Sequence, residues 1–205
     1  MKSLKIYNSD RIFIAGKSGS GKSYLAKEIF KALNRLVLVD YKHEVIIGGF
    51  GIIKSYSEFL DLVQKGHTKI IMRPSGTHEQ INSELSKIET YIFNKGNWTI
   101  AFDELTKREK NFMDLPPSLD NIVRMGRSRG VGIIVIHQRP SRLELGFMSE
   151  AEHFFIFTLN LRVDKDKMRG VIGDENIGLI DKLDWDKHEF VYYSVREGKA
   201  TISNI

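Results

Sequence analysis

The apolar residues of this chain change period repeatedly, and each change marks a predicted element. Arg11-Ile12-Phe13-Ile14-Ala15 is a short continuous apolar run of the buried-strand type. From Lys22 to Leu33 the apolar positions Leu25, Ala26, Ile29 and Leu33 share one helical face. Arg35 to Asp40 reads as a second strand, and Val45 to Lys54 as a short glycine-broken segment. Ser57 to Gln64 is predicted as a helix with a serine cap and Glu58 early in its first turn. Lys69 to Met72 is a strand, closed by Arg73-Pro74-Ser75-Gly76. A long helix follows over Thr77 to Asn94, with Ile81, Leu85, Ile88 and Ile92 in register. Trp98 to Phe102 is a strand that runs into Asp103-Glu104. Beyond Leu115-Pro116-Pro117-Ser118, a helix covers Leu119 to Met125, and the strand Val131 to Ile136 ends at His137-Gln138-Arg139-Pro140. A further strand spans Phe154 to Leu159, and short helices are expected at Asp164 to Val171 and Glu175 to Leu183. Glu189 to Val195 and Ala200 to Ile202 flank Arg196-Glu197-Gly198-Lys199, the pattern of a hairpin.

Strand and helix in alternation predict an α/β fold, a mostly parallel sheet with helices on both faces. No repeat, low-complexity tract or linker interrupts the pattern, so residues 1–205 are expected to form a single domain. The chain has no cysteine, which excludes disulfides and thiolate metal sites. The longest apolar run, Val131 to Ile136, is broken by Gly132 and is far too short for a membrane span. Met1-Lys2-Ser3-Leu4-Lys5 has no apolar stretch behind it, so no signal peptide is visible and an intracellular protein is expected. The net charge of +5 permits a nucleic-acid partner and does not demonstrate one.

The chemistry begins at Gly16-Lys17-Ser18-Gly19-Ser20-Gly21-Lys22-Ser23, which fits G-x-x-x-x-G-K-[ST], the phosphate-binding P-loop. Its setting fits too: a strand, a glycine-rich loop and a helix in succession. The glycines let successive N–H groups turn towards phosphate oxygens, and the helix N-terminus adds partial positive charge. Lys22 would reach the β- and γ-phosphates, and Ser23 would ligate Mg²⁺. Four fixed positions match by accident in roughly one chain of this length in a hundred.

Asp103-Glu104 at the end of a buried strand has the form of a Walker B pair. In open α/β sheets ligands bind at the carboxyl ends of strands. Asp103 would hold Mg²⁺ and Glu104 would act on the attacking water as general base. An acidic helix cap is the bland alternative. Gln138 ends the next strand, where its amide can bond both the γ-phosphate and the attacking water; a polar strand end is the alternative there. Arg124-Met125-Gly126-Arg127-Ser128-Arg129-Gly130 packs three arginines into a short stretch. Such a cluster is ordinarily a solvated surface, but arginine also suits charge developing on a γ-phosphate. Lys107, Arg108 and Lys110 follow directly on Glu104, either as a loop touching DNA phosphates or as a solvated helix face.

In this order the motifs resemble the FtsK–HerA superfamily of nucleic-acid-pumping ATPases. The most specific part is Arg124 to Ser141, with its paired arginines, hydrophobic strand and Gln-Arg-Pro-Ser ending. His137 stands where the family usually has Thr or Ser. Val39-Asp40-Tyr41-Lys42-His43-Glu44 looks like the family's Asp-Pro-Lys-Gly-Glu segment without its glycine. The likeness runs from about residue 11 to 160. A bare motor of this size is most similar to the genome-packaging ATPases of internal-membrane icosahedral viruses, including archaeal ones.

The resemblance implies a RecA-like P-loop fold and a Mg²⁺-dependent ATPase that translocates double-stranded DNA into a capsid. It implies ATP and Mg²⁺ as cofactors, and a homo-oligomeric ring, hexamer or pentamer. Capsid or membrane proteins at a packaging vertex are the implied docking partners. The implied location is the host-cell cytoplasm or the virion. It assigns phosphate and Mg²⁺ binding to Lys22 and Ser23, the Walker B pair to Asp103 and Glu104, and the sensor to Gln138. Arg127 is its trans-acting arginine finger, with Arg124 second. Three other readings stay open: a cellular DNA pump or helicase motor, a small-molecule kinase, and a nucleotide-controlled switch. The Asp103-Glu104 pair and Gln138 argue against the kinase, which must keep water from the phosphate.

Overall fold

Successive residues of a strand point to opposite faces, and here both faces are apolar. In β1 (Arg11–Ala15) Phe13 and Ala15 enter one core cluster, while Ile12 and Ile14 enter a second. β2 (Leu36–Asp40) divides Val37 and Val39 from Leu36 and Leu38 in the same way. A sheet buried on both sides is the signature of parallel strands covered by helices. The computed structural model describes residues 5–105, 115–143 and 145–205.

The elements alternate as expected. α1 (Lys22–Ala32) follows β1, and β3 (Gly51–Ile53) follows β2. Then come α2 (Tyr56–Gln64), β4 (Lys69–Met72), α3 (His78–Lys95) and β5 (Thr99–Asp103). α4 (Pro117–Met125) and β6 (Gly132–His137) are followed by α5 (Leu145–Glu150) and β7 (His153–Ile156). The chain closes with α6 (Arg162–Ile172), α7 (Asp174–Ile177), β8 (Glu189–Ser194) and β9 (Lys199–Asn204). They form a nine-stranded sheet in the order β3-β4-β2-β5-β6-β1-β7-β8-β9. All pairs from β3 to β7 in that order are parallel, and only the β7–β8 and β8–β9 pairs are antiparallel.

The two faces are covered unequally. α2, α3, α4, α5 and α6 all contribute buried residues to the larger cluster, such as Phe59, Leu85, Ile122, Phe147 and Met168. Among the helices, α1 alone packs into the other, through Ala26, Ile29 and Phe30.

Several expectations are corrected in detail. The serine capping α2 is Ser55, whose hydroxyl accepts from the Glu58 amide; Ser57 lies inside the helix. Thr77 is the cap of α3, not its first helical residue, and forms a reciprocal capping box with Gln80. β7 stops at Ile156; beyond it the Phe157 amide still donates to the Ala15 carbonyl, and the Thr158 carbonyl accepts from the Lys17 amide of the loop. The helix expected over Glu175 to Leu183 is split into α7 and a single 3₁₀ turn, Ile180–Lys182. α5 was not foreseen, its few apolar residues being too short a window for periodicity.

Candidate nucleotide site

The order β5-β6-β1 sets the site. β6 lies between the strand that leads into the P-loop and the strand that ends in Asp103, so all three carboxyl ends open on one place. Ala15 pairs with His137, and Asp103 with Ile136, which aligns the three ends in register.

The loop from Gly16 to Gly21 leaves β1 in conformations that require glycine. Gly16 has φ 151°, and a Cβ there would lie 2.5 Å from the Phe157 Cβ. Gly21, with φ 104°, is the residue before α1, and its side-chain space is taken by the Ile205 methyl at 2.5 Å. The Lys17 amide donates to the Thr158 carbonyl (3.1 Å), tying the loop to the end of β7. Lys17 also sets its ammonium 3.5 Å from the centre of the Trp185 ring, a cation–π contact. Ser20 is buried, with no hydrogen-bond partner for its hydroxyl among the described residues.

Lys22 is buried, and its ammonium donates to the Lys17 carbonyl at 2.7 Å. Burial pulls its pKa down to about 8, against the attraction of Glu104 and Asp103. Lys22, Ser23, Asp103 and Gln138 line one cavity of about 270 Å³, together with Ser18, Gly19, Gly21, Tyr24, Lys42, Glu44 and His188. Asp103 is held above the usual carboxylate range by burial, despite Lys42 at 3.9 Å. Glu104 is not among the lining residues. Its backbone takes φ 74°, unusual for a non-glycine residue, and its amide donates to the Ile136 carbonyl (3.0 Å). Its carboxylate lies 3.6 Å from the His137 Nε2.

Ser23 and Asp103 fit a Mg²⁺ carried by a nucleotide, which takes one or two protein oxygens and leaves the rest to phosphate and water. Among the described residues no cluster of three His, Asp or Glu side chains is arranged to hold a metal on its own.

The arginines lie elsewhere. Arg127 belongs to a 3₁₀ turn leading into β6, so it sits at the amino ends of the strands, a strand's length (roughly 20 Å) from the cavity. There its guanidinium pairs with Glu152 at 3.0 Å. Arg124, at the end of α4, pairs with Asp120 at 2.7 Å, and Arg129 stacks on Phe93. Lys107, Arg108 and Lys110 lie outside the described residues.

Lys42, Glu44 and Tyr24 were not foreseen as cavity residues, although Lys42 and Glu44 fall in the segment after β2 that the family resemblance marked. Trp185, His188 and Ile205 carried no sequence signal. They reach the P-loop only because β8 and β9 fold back beside β7.

The sheet order and the glycine-rich loop between β1 and α1 are those of the P-loop NTPase fold. No protein-family model matches the sequence, and no curated protein matches it. Solved structures do match. The genome packaging NTPase B204 from Sulfolobus turreted icosahedral virus 2, in complex with AMP, superposes with TM-score 0.79 at 19% identity, over 97% of this chain and 99% of that one. B204, the DNA-packaging ATPase from Sulfolobus turreted icosahedral virus, gives TM-score 0.74 at 19% identity, over 97% and 99%. The N-terminal domain of zonular occludens toxin from Neisseria meningitidis gives 0.52 at 14% identity, over 96% and 94%. The chain shares the fold of these proteins from end to end.

Proposed function

We propose that this chain is a Mg²⁺-dependent ATPase that works as a homo-oligomeric ring and translocates double-stranded DNA, packaging a viral genome into its capsid. The observation that carries this is the convergence of Lys22, Ser23, Asp103 and Gln138 on one cavity, three strand ends apart in sequence and adjacent in space. The end-to-end fold match to packaging NTPases supports the choice of cargo.

The P-loop amides and Lys22 would hold the phosphates of ATP, with Lys22 exchanging the Lys17 carbonyl for a phosphate oxygen. Ser23 and Asp103 would hold Mg²⁺, which would supply charge neutralisation on the phosphates. Glu104 takes the proton of the attacking water, and Gln138 orients that water against the γ-phosphate. Arg127, ion-paired to Glu152 far from its own cavity, would act in trans on a neighbouring subunit's site.

The test is the steady-state ATPase rate with and without double-stranded DNA over a range of protein concentrations. A ring motor gives DNA-stimulated turnover whose specific activity rises with concentration, and DNA affinity that falls steeply with salt and ignores sequence. Slow turnover indifferent to DNA would indicate a switch, and phosphate transfer to a small acceptor a kinase. Either result overturns the reading.

A further inference from the structure

His137 has been given no role so far, and it stands where the resembling family usually carries Thr or Ser. It ends β6, its side chain only 2% exposed. The Nδ1 atom accepts a hydrogen bond from the Arg139 amide at 2.9 Å. That bond assigns the ring proton to Nε2. Nε2 is buried without a hydrogen-bond partner among the described residues, and the polar atom before it is the Glu104 carboxylate oxygen at 3.6 Å. An unsatisfied buried N–H is costly, so a donor placed before a carboxylate points to that carboxylate as its partner.

The two residues differ in freedom. The ring is fixed by burial and by Arg139, which is itself tied through its Nε to Asp164 at 2.8 Å. The Glu104 backbone is fixed by its bond to Ile136, while its carboxylate, 17% exposed, makes no hydrogen bond among the described residues. The gap is longer than a hydrogen bond by a few tenths of an ångström, within reach of a carboxylate rotation.

We propose that His137 is a positioning residue for the general base: its Nε2–H holds one oxygen of the Glu104 carboxylate and leaves the other to accept the proton of the attacking water. In that step the water oxygen bonds to the γ-phosphorus, the bond from phosphorus to the β–γ bridging oxygen breaks, ADP leaves, and the water proton passes to Glu104. A neutral donor suits the task. A lysine or arginine in its place would hold the carboxylate more tightly and depress its basicity. Burial keeps His137 neutral, with a pKa pushed down to about 4. The inference rests on the ATPase reading above.

Two substitutions separate the two ring nitrogens. His137→Asn keeps an acceptor near Nδ1 and deletes the Nε2 donor. His137→Gln places an amide N–H near Nε2 and gives up the Nδ1 acceptor. Steady-state ATP hydrolysis and binding of a non-hydrolysable ATP analogue are measured on both. We expect His137→Asn to bind the analogue and keep KM within about threefold while kcat falls about 10- to 100-fold, the scale of a misaligned catalytic group. His137→Gln should recover kcat to within about threefold of wild type, because the donor is restored. A His137→Asn kcat at or above the wild-type value overturns the proposal. So does equal loss in both variants, which would make the role one of packing. If His137→Asn fails to bind the analogue, His137→Gln decides alone, and a kcat below about a tenth of wild type overturns the proposal. Absence of hydrolysis by the wild type would instead sink the ATPase reading itself.

Discussion

Lys22 is held by opposing demands. Burial lowers its pKa to about 8, and the Lys17 carbonyl satisfies its ammonium while no phosphate is present. A neighbouring carboxylate pair restrains the loss of its charge. Lys22→Ala should therefore abolish nucleotide binding or nearly so, seen as loss of a titration signal with an ATP analogue. Glu104 has the proposed task of taking a proton, not of holding phosphate, so its substitution should act on chemistry more than on binding. Glu104→Gln should bind the same analogue with unchanged affinity and hydrolyse ATP about 10²–10⁴ times more slowly, the usual worth of a general base. A Glu104→Gln variant that turns over at the wild-type rate would place the base elsewhere.

At the scale of elements, the segment after β6 is tied to the start of α6. Asp164, buried at the start of α6, accepts from the Arg139 side chain and from the Ser141 amide at 3.0 Å. Gln138 stands immediately before this clamp in the chain. Asp164→Ala leaves a guanidinium and a backbone amide without their acceptor. Urea unfolding should show a loss of about 2–3 kcal/mol, discounted for the partial exposure of Arg139, with no change in slope. An unchanged midpoint would show that the clamp contributes nothing. Thr77→Ala removes one arm of the α3 capping box, and Thr77 does not line the cavity. It should cost about 1 kcal/mol and leave ATP turnover intact, which makes it a control for variants that merely destabilise.

At the scale of the whole molecule, nucleotide cavity and arginine cluster occupy opposite ends of the sheet. One subunit cannot bring Arg127 to its own γ-phosphate without unfolding β6. An assembly that sets the amino end of one sheet against the carboxyl end of the next can. Arg127→Ala should bind ATP normally and hydrolyse it about 10³–10⁵ times more slowly, as removal of an arginine finger does. Mixing supplies the decisive measurement. A Glu104→Gln subunit still offers Arg127, and an Arg127→Ala subunit still offers an intact catalytic site. Co-assembled rings should recover activity that neither variant has alone. No recovery in rings proven to be mixed would make Arg127 structural, consistent with its pair to Glu152, and would direct the same test to Arg124.

Periodicity made most of the fold legible. Arg11–Ala15 and Lys69–Met72 were placed to the residue, because continuous apolar runs bounded by Gly, Pro or charge have one reading in an alternating α/β chain. The P-loop was equally plain, since its demands on backbone and charge are met within eight consecutive residues. What periodicity could not supply was distance between segments. The α2 cap depended on which serine faced an amide, and the end of β7 on the turn by which the Thr158 carbonyl meets the Lys17 amide. The meeting of Gln138 with Asp103 and Lys22 came from strand order, which no local pattern encodes. The same holds for Trp185, His188 and Ile205 over the P-loop, and for Glu104 beside His137. Local chemistry was written in the sequence because it acts between near neighbours along the chain. The site as a whole was decided by tertiary structure, because parallel strands are joined through crossovers and meet residues a hundred positions away.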